Sequence, residues 1–149
     1  MIIRETDSVI FYSEQEQVWK NTQGYFHRVG GPAVIEADGS LHWIQKGKWH
    51  RKGGPAVIFS DGSKEWYLNG DLHREDGPAL IYSEGTQVWY VNDKYHRVGG
   101  PAVIRSNGYQ SWYLKGRCHR VDGPAIIYPD GTKEWYLYGS PVNQEEVEK

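Results

Sequence analysis

At 149 residues, 38 % of them apolar, the chain is long enough for one domain, and its many Gly (18), Trp (7) and Tyr (11) residues suit strands and turns rather than helices around a thick core. Seventeen basic against nineteen acidic residues give a net charge of −2, which Glu145, Glu146 and Glu148 less Lys149 account for, so the body lacks the long-range field of a general nucleic-acid binder. Cys118 is the single cysteine, the first residues lack a signal-peptide pattern, and no stretch approaches the ~18 apolar residues of a membrane span; a protein that is not transmembrane, in the reducing cytoplasm of a bacterial or infected host cell, is expected.

The first segment, IRETDSVIFYSEQEQVW (Ile3–Trp19), lies over HREDGPALIYSEGTQVW (His73–Trp89), sharing Arg4, Glu5, Tyr12, Ser13, Glu14, Gln17, Val18 and Trp19 but lacking the His, the GPA and the turn Gly. Residues 1–26 therefore read as a worn capping copy of the unit that follows, since end units of an array face solvent on one side.

From His27 the unit recurs every 23 residues without a gap, at 27–49, 50–72, 73–95, 96–118 and 119–138. Each copy reads HR-x-x-GPA-x-I, then a turn ending in Gly, then Trp four residues on: Trp43, Trp66, Trp89, Trp112 and Trp135. Two turn signals recur per copy. The first is Asp38-Gly39, Asp61-Gly62, Glu84-Gly85, Asn107-Gly108 and Asp130-Gly131; the second is Lys46-Gly47, Asn69-Gly70, Asn92-Asp93, Lys115-Gly116 and Tyr138-Gly139. Such pairs favour two-residue hairpin turns with positive φ, and runs such as KEWYL (Lys64–Leu68) between them favour strands. Gly-Pro predicts a kink or bulge where the chain returns. The prediction is an all-β, antiparallel meander of stacked hairpins, a single twisted sheet or open solenoid with almost no helix, in one repeat domain over 1–138. Residues 139–149, with Pro141 and a run of Glu, read as a flexible acidic tail.

If the Asp-Gly turn holds two residues, Val34, Val57, Leu80, Val103 and Ile126 face Trp43, Trp66, Trp89, Trp112 and Trp135, and this side is the core. The opposite side then carries Ile44, Tyr67, Tyr90, Tyr113 and Tyr136. A different turn length slips the register by one and exchanges the faces.

The 23-residue length, the x-N-G-x-x-H segment, the W-Y before it and the D-G turn resemble MORN-type repeats, and the HR-x-x-GPA copies resemble a divergent MORN-like variety of bacterial, phage and large-virus proteins. The resemblance spans Ile3 to Tyr138, with GPA in place of the usual H-G-x-G. It implies an elongated, twisted sheet of stacked hairpins, scaffolding, protein binding, sometimes contact with acidic lipids, and antitoxin-like roles in some bacterial relatives. It implies no reaction.

Two ladders are candidate sites. The first is His27-Arg28, His50-Arg51, His73-Arg74, His96-Arg97 and His119-Arg120. It is not a metal site: histidines one repeat apart stand ~9–10 Å from each other, whereas two ligands of one Zn²⁺ each lie ~2.0–2.1 Å from it. Arginine forks suit phosphate or carboxylate, although Glu75, Asp76 and Asp122 blunt the charge. The structural alternative is that His and Arg bond the loop backbone, or the turn carboxylates Asp38, Asp61, Glu84 and Asp130 of a neighbouring repeat.

The second ladder is Tyr67, Tyr90, Tyr113 and Tyr136, either a partner-binding face or a second packed face. Cys118 shares its position with the apolar Phe26, Trp49, Leu72 and Tyr95 and reads as a packed thiol. His42 stands where Glu65, Val88, Ser111 and Glu134 stand and reads as a tolerated strand residue. No nucleophile elbow, P-loop, Cys-x-x-Cys pair or dinucleotide fingerprint occurs. An enzyme is not expected, nor a cofactor. The expected function is a binding module or scaffold for a protein partner, a phage- or bacterium-encoded factor that engages or inhibits a host or toxin component. The alternative is a nucleotide or acidic-lipid binder using the arginines. Self-association through edge strands is a third possibility.

Overall fold

The computed structural model describes residues 4–5 and 8–12 as backbone and residues 15–147 in full; the parts of the cap and tail at 1–3, 6–7, 13–14 and 148–149 lie outside the described residues. The chain forms two compact units, Met1–Leu72 and His73–Lys149, and the boundary falls at a repeat junction, so each repeat stays whole. In the first unit, Arg4–Glu5, Ser8–Tyr12, Gln17–Lys20, Val34–Ile35, Leu41–His42, Val57–Ile58 and Lys64–Glu65 pair each with the next, all antiparallel. In the second, Leu80–Ile81, Gln87–Val88, Val103–Ile104, Gln110–Ser111, Ile126–Ile127, Lys133–Leu137 and Ser140–Val142 do the same. Sequential antiparallel pairing is the predicted all-β meander. Among the described residues the sole helix is Gln144–Val147.

Each of the first four repeats adds a small hairpin beyond its Trp: Ile44–Gln45 with Lys48–Trp49, Tyr67–Leu68 with Asp71–Leu72, Tyr90–Val91 with Lys94–Tyr95, and Tyr113–Leu114 with Arg117–Cys118. Their two-residue turns have both central residues at positive φ, as at Asn69 (50°) and Gly70 (89°). That is the mirror-image turn whose twist matches the strands. The second turn signal is thus a two-residue hairpin, as its residues predict.

The Asp-Gly turn is not. Phe59 N–H donates to Ser63 C=O at 2.9 Å and Gly62 N–H to Phe59 C=O at 3.0 Å, and only Gly62 has positive φ (89°). This is a three-residue loop, a type I turn closed by a glycine bulge. The Asp61 carboxylate accepts from the N–H of Ser63 at 2.8 Å, as Asp38, Asn107 and Asp130 do two residues on.

The longer loop slips the expected register by one. Val57 faces Glu65, not Trp66; Val34 faces His42, Leu80 Val88, Val103 Ser111 and Ile126 Glu134. The buried aliphatics therefore share a side with His42 and Ile44, the tyrosine column, which corrects the expected assignment of the core to the tryptophan side. The tryptophans instead lie opposite the alanines: Trp43 N–H donates to Ala56 C=O at 2.7 Å and Trp112 N–H to Ala125 C=O at 2.8 Å. Ala33, Ala56, Ala79, Ala102 and Ala125 are fully buried. A larger side chain has no room there.

The segment read as a loose tail is structured over 140–147, which corrects that reading. Ser140–Val142 pairs with Trp135–Leu137, and Val147 is buried. Asn143 caps the short helix: its N–H donates to Glu146 Oε2 at 2.8 Å and its Oδ1 accepts from Glu146 N–H at 3.2 Å. The acidic run conceals an Asn-x-x-Glu box.

Candidate functional site

The His-Arg ladder is built into the repeat. The guanidinium Cζ lies 3.9 Å from the ring centroid of the preceding Trp at Arg28–Trp19, Arg51–Trp43 and Arg97–Trp89, and 4.0 Å at Arg120–Trp112. The same guanidinium donates from Nη1 to the proline carbonyl four residues on: Arg28 to Pro32, Arg51 to Pro55, Arg74 to Pro78, Arg97 to Pro101 and Arg120 to Pro124, at 3.0 to 3.2 Å. Arg74 and Arg120 also bond Asp76 and Asp122 at 2.9 and 2.8 Å, which lowers the pKa of both carboxyls. Burial lowers that of Arg97.

This stacking explains Gly-Pro-Ala. A Cβ on Gly31, Gly54, Gly77, Gly100 or Gly123 would meet the guanidinium carbon at 2.8 to 3.0 Å. Glycine lets the guanidinium lie flat on the loop, proline carries the carbonyl it bonds, and alanine enters the core.

Each histidine is an acceptor for a turn. Nδ1 of His27, His50, His73, His96 and His119 accepts from the N–H of Lys46, Asn69, Asn92, Lys115 and Tyr138, at 3.0 to 3.1 Å. These are the first residues of the two-residue turns, all at positive φ. Each His and Arg of the ladder thus bonds backbone, while the Asp38 carboxylate accepts from Ser40 N–H in its own turn and from Ser60 Oγ of the next repeat. The signal that could have shown this is the constant 19-residue interval between each His and the turn it supports.

The tyrosines of the second ladder are half-buried. Tyr67 Oη donates to Glu65 at 3.0 Å and Tyr136 Oη to Glu134 at 3.1 Å. Rings from the position before each His join them: Trp49–Tyr67 centroids are 5.1 Å apart, Tyr90–Tyr95 4.6 Å and Tyr95–Tyr113 5.0 Å. Burial, then the neighbouring side chains, pushes Tyr113 up to about 12 and raises Tyr90. Cys118, opposite Tyr113, is pushed up to about 11, first by burial and then by Glu134. Trp49 and Tyr95 remain 41 % and 37 % exposed.

On the other side of the second unit two hollows, of about 700 and 430 Å³, lie beside successive HR-x-x-GP loops, lined by Trp89 and Val91 and by Trp112 and Leu114. In the first unit a cavity of about 450 Å³ is lined by Phe26, Val34, Glu36, His42, Ile44 and Trp49, among others. Among the described residues no three His, Cys, Asp or Glu side chains are placed to share a metal ion, and no helix is long and apolar enough to cross a membrane. No family model matches the sequence, and no curated protein is significantly similar to it.

Proposed function

We propose that the chain is a repeat-built binding module that engages a protein partner through the exposed aromatic rings of its units and catalyses no reaction. One observation carries this reading. The side chains identical in every repeat are used in the fold's own bonds, whereas the partly exposed rings Trp49 and Tyr95 occupy a position whose identity changes from copy to copy: Phe26, Trp49, Leu72, Tyr95, Cys118. Aromatic rings held rigid by stacking on Tyr67, Tyr90 and Tyr113 lose little entropy on contact, which suits them as anchors. The resemblance to MORN-like arrays, with their scaffolding and antitoxin-like roles, points the same way. Anion capture by Arg28, Arg51, Arg74, Arg97 and Arg120 would have to compete with the proline carbonyls that already bind these guanidiniums.

The test is affinity capture from native cells with the wild-type chain and with a Trp49→Ser/Tyr95→Ser variant whose melting is unchanged. A partner retained by the first and lost by the second supports the module. Capture indifferent to these rings, or a rise in Tm with nucleotide or acidic vesicles, overturns it.

A further inference from the structure

The aromatic column has a missing ring. Where later repeats place Tyr67, Tyr90, Tyr113 and Tyr136, the first repeat has Ile44. Neighbouring rings in the column stand 4.6 to 5.1 Å apart wherever both are present, close to one strand spacing of ~4.8 Å. Phe26 and Trp49 flank Ile44 from the strands on either side: Gly47 N–H donates to Phe26 C=O, and Ile44 pairs with Trp49. Their rings are therefore about two spacings apart, ~9.6 Å, which is the room one planar ring needs to stack on both. Ile44 lies buried, 8 % exposed, between the two, and Phe26, Ile44 and Trp49 together line the cavity of about 450 Å³.

Two further departures fall in the same repeat and on the same cavity. Glu36 stands where Phe59, Tyr82, Arg105 and Tyr128 stand, and His42 where Glu65, Val88, Ser111 and Glu134 stand. They pair at 2.8 Å, His42 Nε2 to Glu36 Oε1. In the second and fifth repeats the tyrosine hydroxyl is received by the carboxylate two residues before it, Glu65 or Glu134. The first repeat thus keeps a carboxylate acceptor, held by an imidazole, where its own column supplies no hydroxyl.

We propose that this cavity binds one phenolic ring, stacked between Phe26 and Trp49 over Ile44, with its hydroxyl donating to the Glu36–His42 pair. The ligand takes the place that a tyrosine of the chain itself fills in every later repeat. The site shares Trp49 with the partner surface proposed above but does not rest on that reading, because Phe26, Ile44, Glu36 and His42 complete it.

The test is an amide-resolved NMR titration of the full chain with p-cresol. Saturable shifts centred on Phe26, Ile44 and Trp49 are expected, with toluene at least threefold weaker because it lacks the donor. Ile44→Tyr fills the gap from within and should weaken p-cresol at least tenfold while the remaining spectrum stays native. Trp49→Leu, which installs the residue present at Leu72, removes one wall and should weaken it similarly. N-acetyltyrosinamide identifies the source: tighter binding than p-cresol assigns the site to a tyrosine side chain, weaker binding to a free phenol, and both uphold it. No saturable shift, or binding that survives Ile44→Tyr, overturns it.

Discussion

The guanidinium of Arg51 lies over the indole of Trp43, Cζ 3.9 Å from the ring centroid, while its Nη1 donates to Pro55 C=O at 3.0 Å. One side chain thus fixes the loop of its own repeat to the ring of the one before. A cation over an aromatic ring contributes about 0.5–2 kcal/mol, and a hydrogen bond from a charged donor about 1.5–3 kcal/mol. Arg51→Ala should therefore lower stability by about 2–3 kcal/mol in urea denaturation, and Arg51→Lys should restore less than half, because an ammonium cannot stack and reach the carbonyl together. An unchanged midpoint for Arg51→Ala would remove the structural reading of the ladder.

Adjacent glycines separate space from backbone freedom. Gly31 and Gly30 both lack positive φ, but a Cβ on Gly31 meets Arg28 at 3.0 Å while one on Gly30 meets nothing within 4 Å. Gly31→Ala should cost about 1–3 kcal/mol through overpacking, whereas Gly30→Ala should be neutral or stabilise by up to about 1 kcal/mol. Equal melting temperatures for the two variants would contradict the flat seat described for the guanidinium.

Much of the fold is legible by aligning the copies, because turn chemistry is local. Asn69-Gly70 can hardly be other than a two-residue turn, and it is one. Asp61-Gly62 is ambiguous: the same dipeptide closes a two-residue turn or ends a three-residue loop, and the choice depends on Phe59 and Ser63 bonding across it. The face assignment failed on that one residue. The stacking of arginine on tryptophan was not legible, since it joins different repeats at a distance set by strand spacing. Ile44, Glu36 and His42 all break their columns in one copy, yet from sequence His42 reads as a tolerated strand residue, because each departure taken singly is unremarkable.

Alkaline pH should destabilise the second unit. Cys118 and Tyr113 have raised pKa values, about 11 and about 12 against ordinary values of 9.0 and 10.0. The unfolded chain therefore releases these protons first, so the folded state binds more of them and stability falls as pH rises. The contribution is whole below pH 9 for Cys118 and is lost by about 11; for Tyr113 the window runs from 10 to about 12. Thermal melting between pH 8 and 10.5 should show a smaller fall for Cys118→Ala than for wild type. Identical slopes would mean that the thiol is not held protonated.

The strand Ser140–Val142 ends the pairing in its unit, and Pro141 lies on it opposite Tyr136. Proline has no N–H to offer a further strand, a common safeguard at sheet edges. Pro141→Val should raise concentration-dependent association in sedimentation velocity, while the wild-type chain should sediment alike at low and high concentration. Association of the wild type to the same degree would show that this edge is not what restrains it.

The arginine stacks also give the molecule a direction in time. At Trp19, Trp43, Trp89 and Trp112 the covering guanidinium comes from downstream in the chain. During synthesis each of these indoles stays uncovered until the ribosome has delivered the opening His-Arg of the following copy. Trp135 is followed by no such pair; the returning strand Ser140–Val142 is laid beside it instead, with Val142 opposite. Each of these stacks is therefore completed one module behind translation.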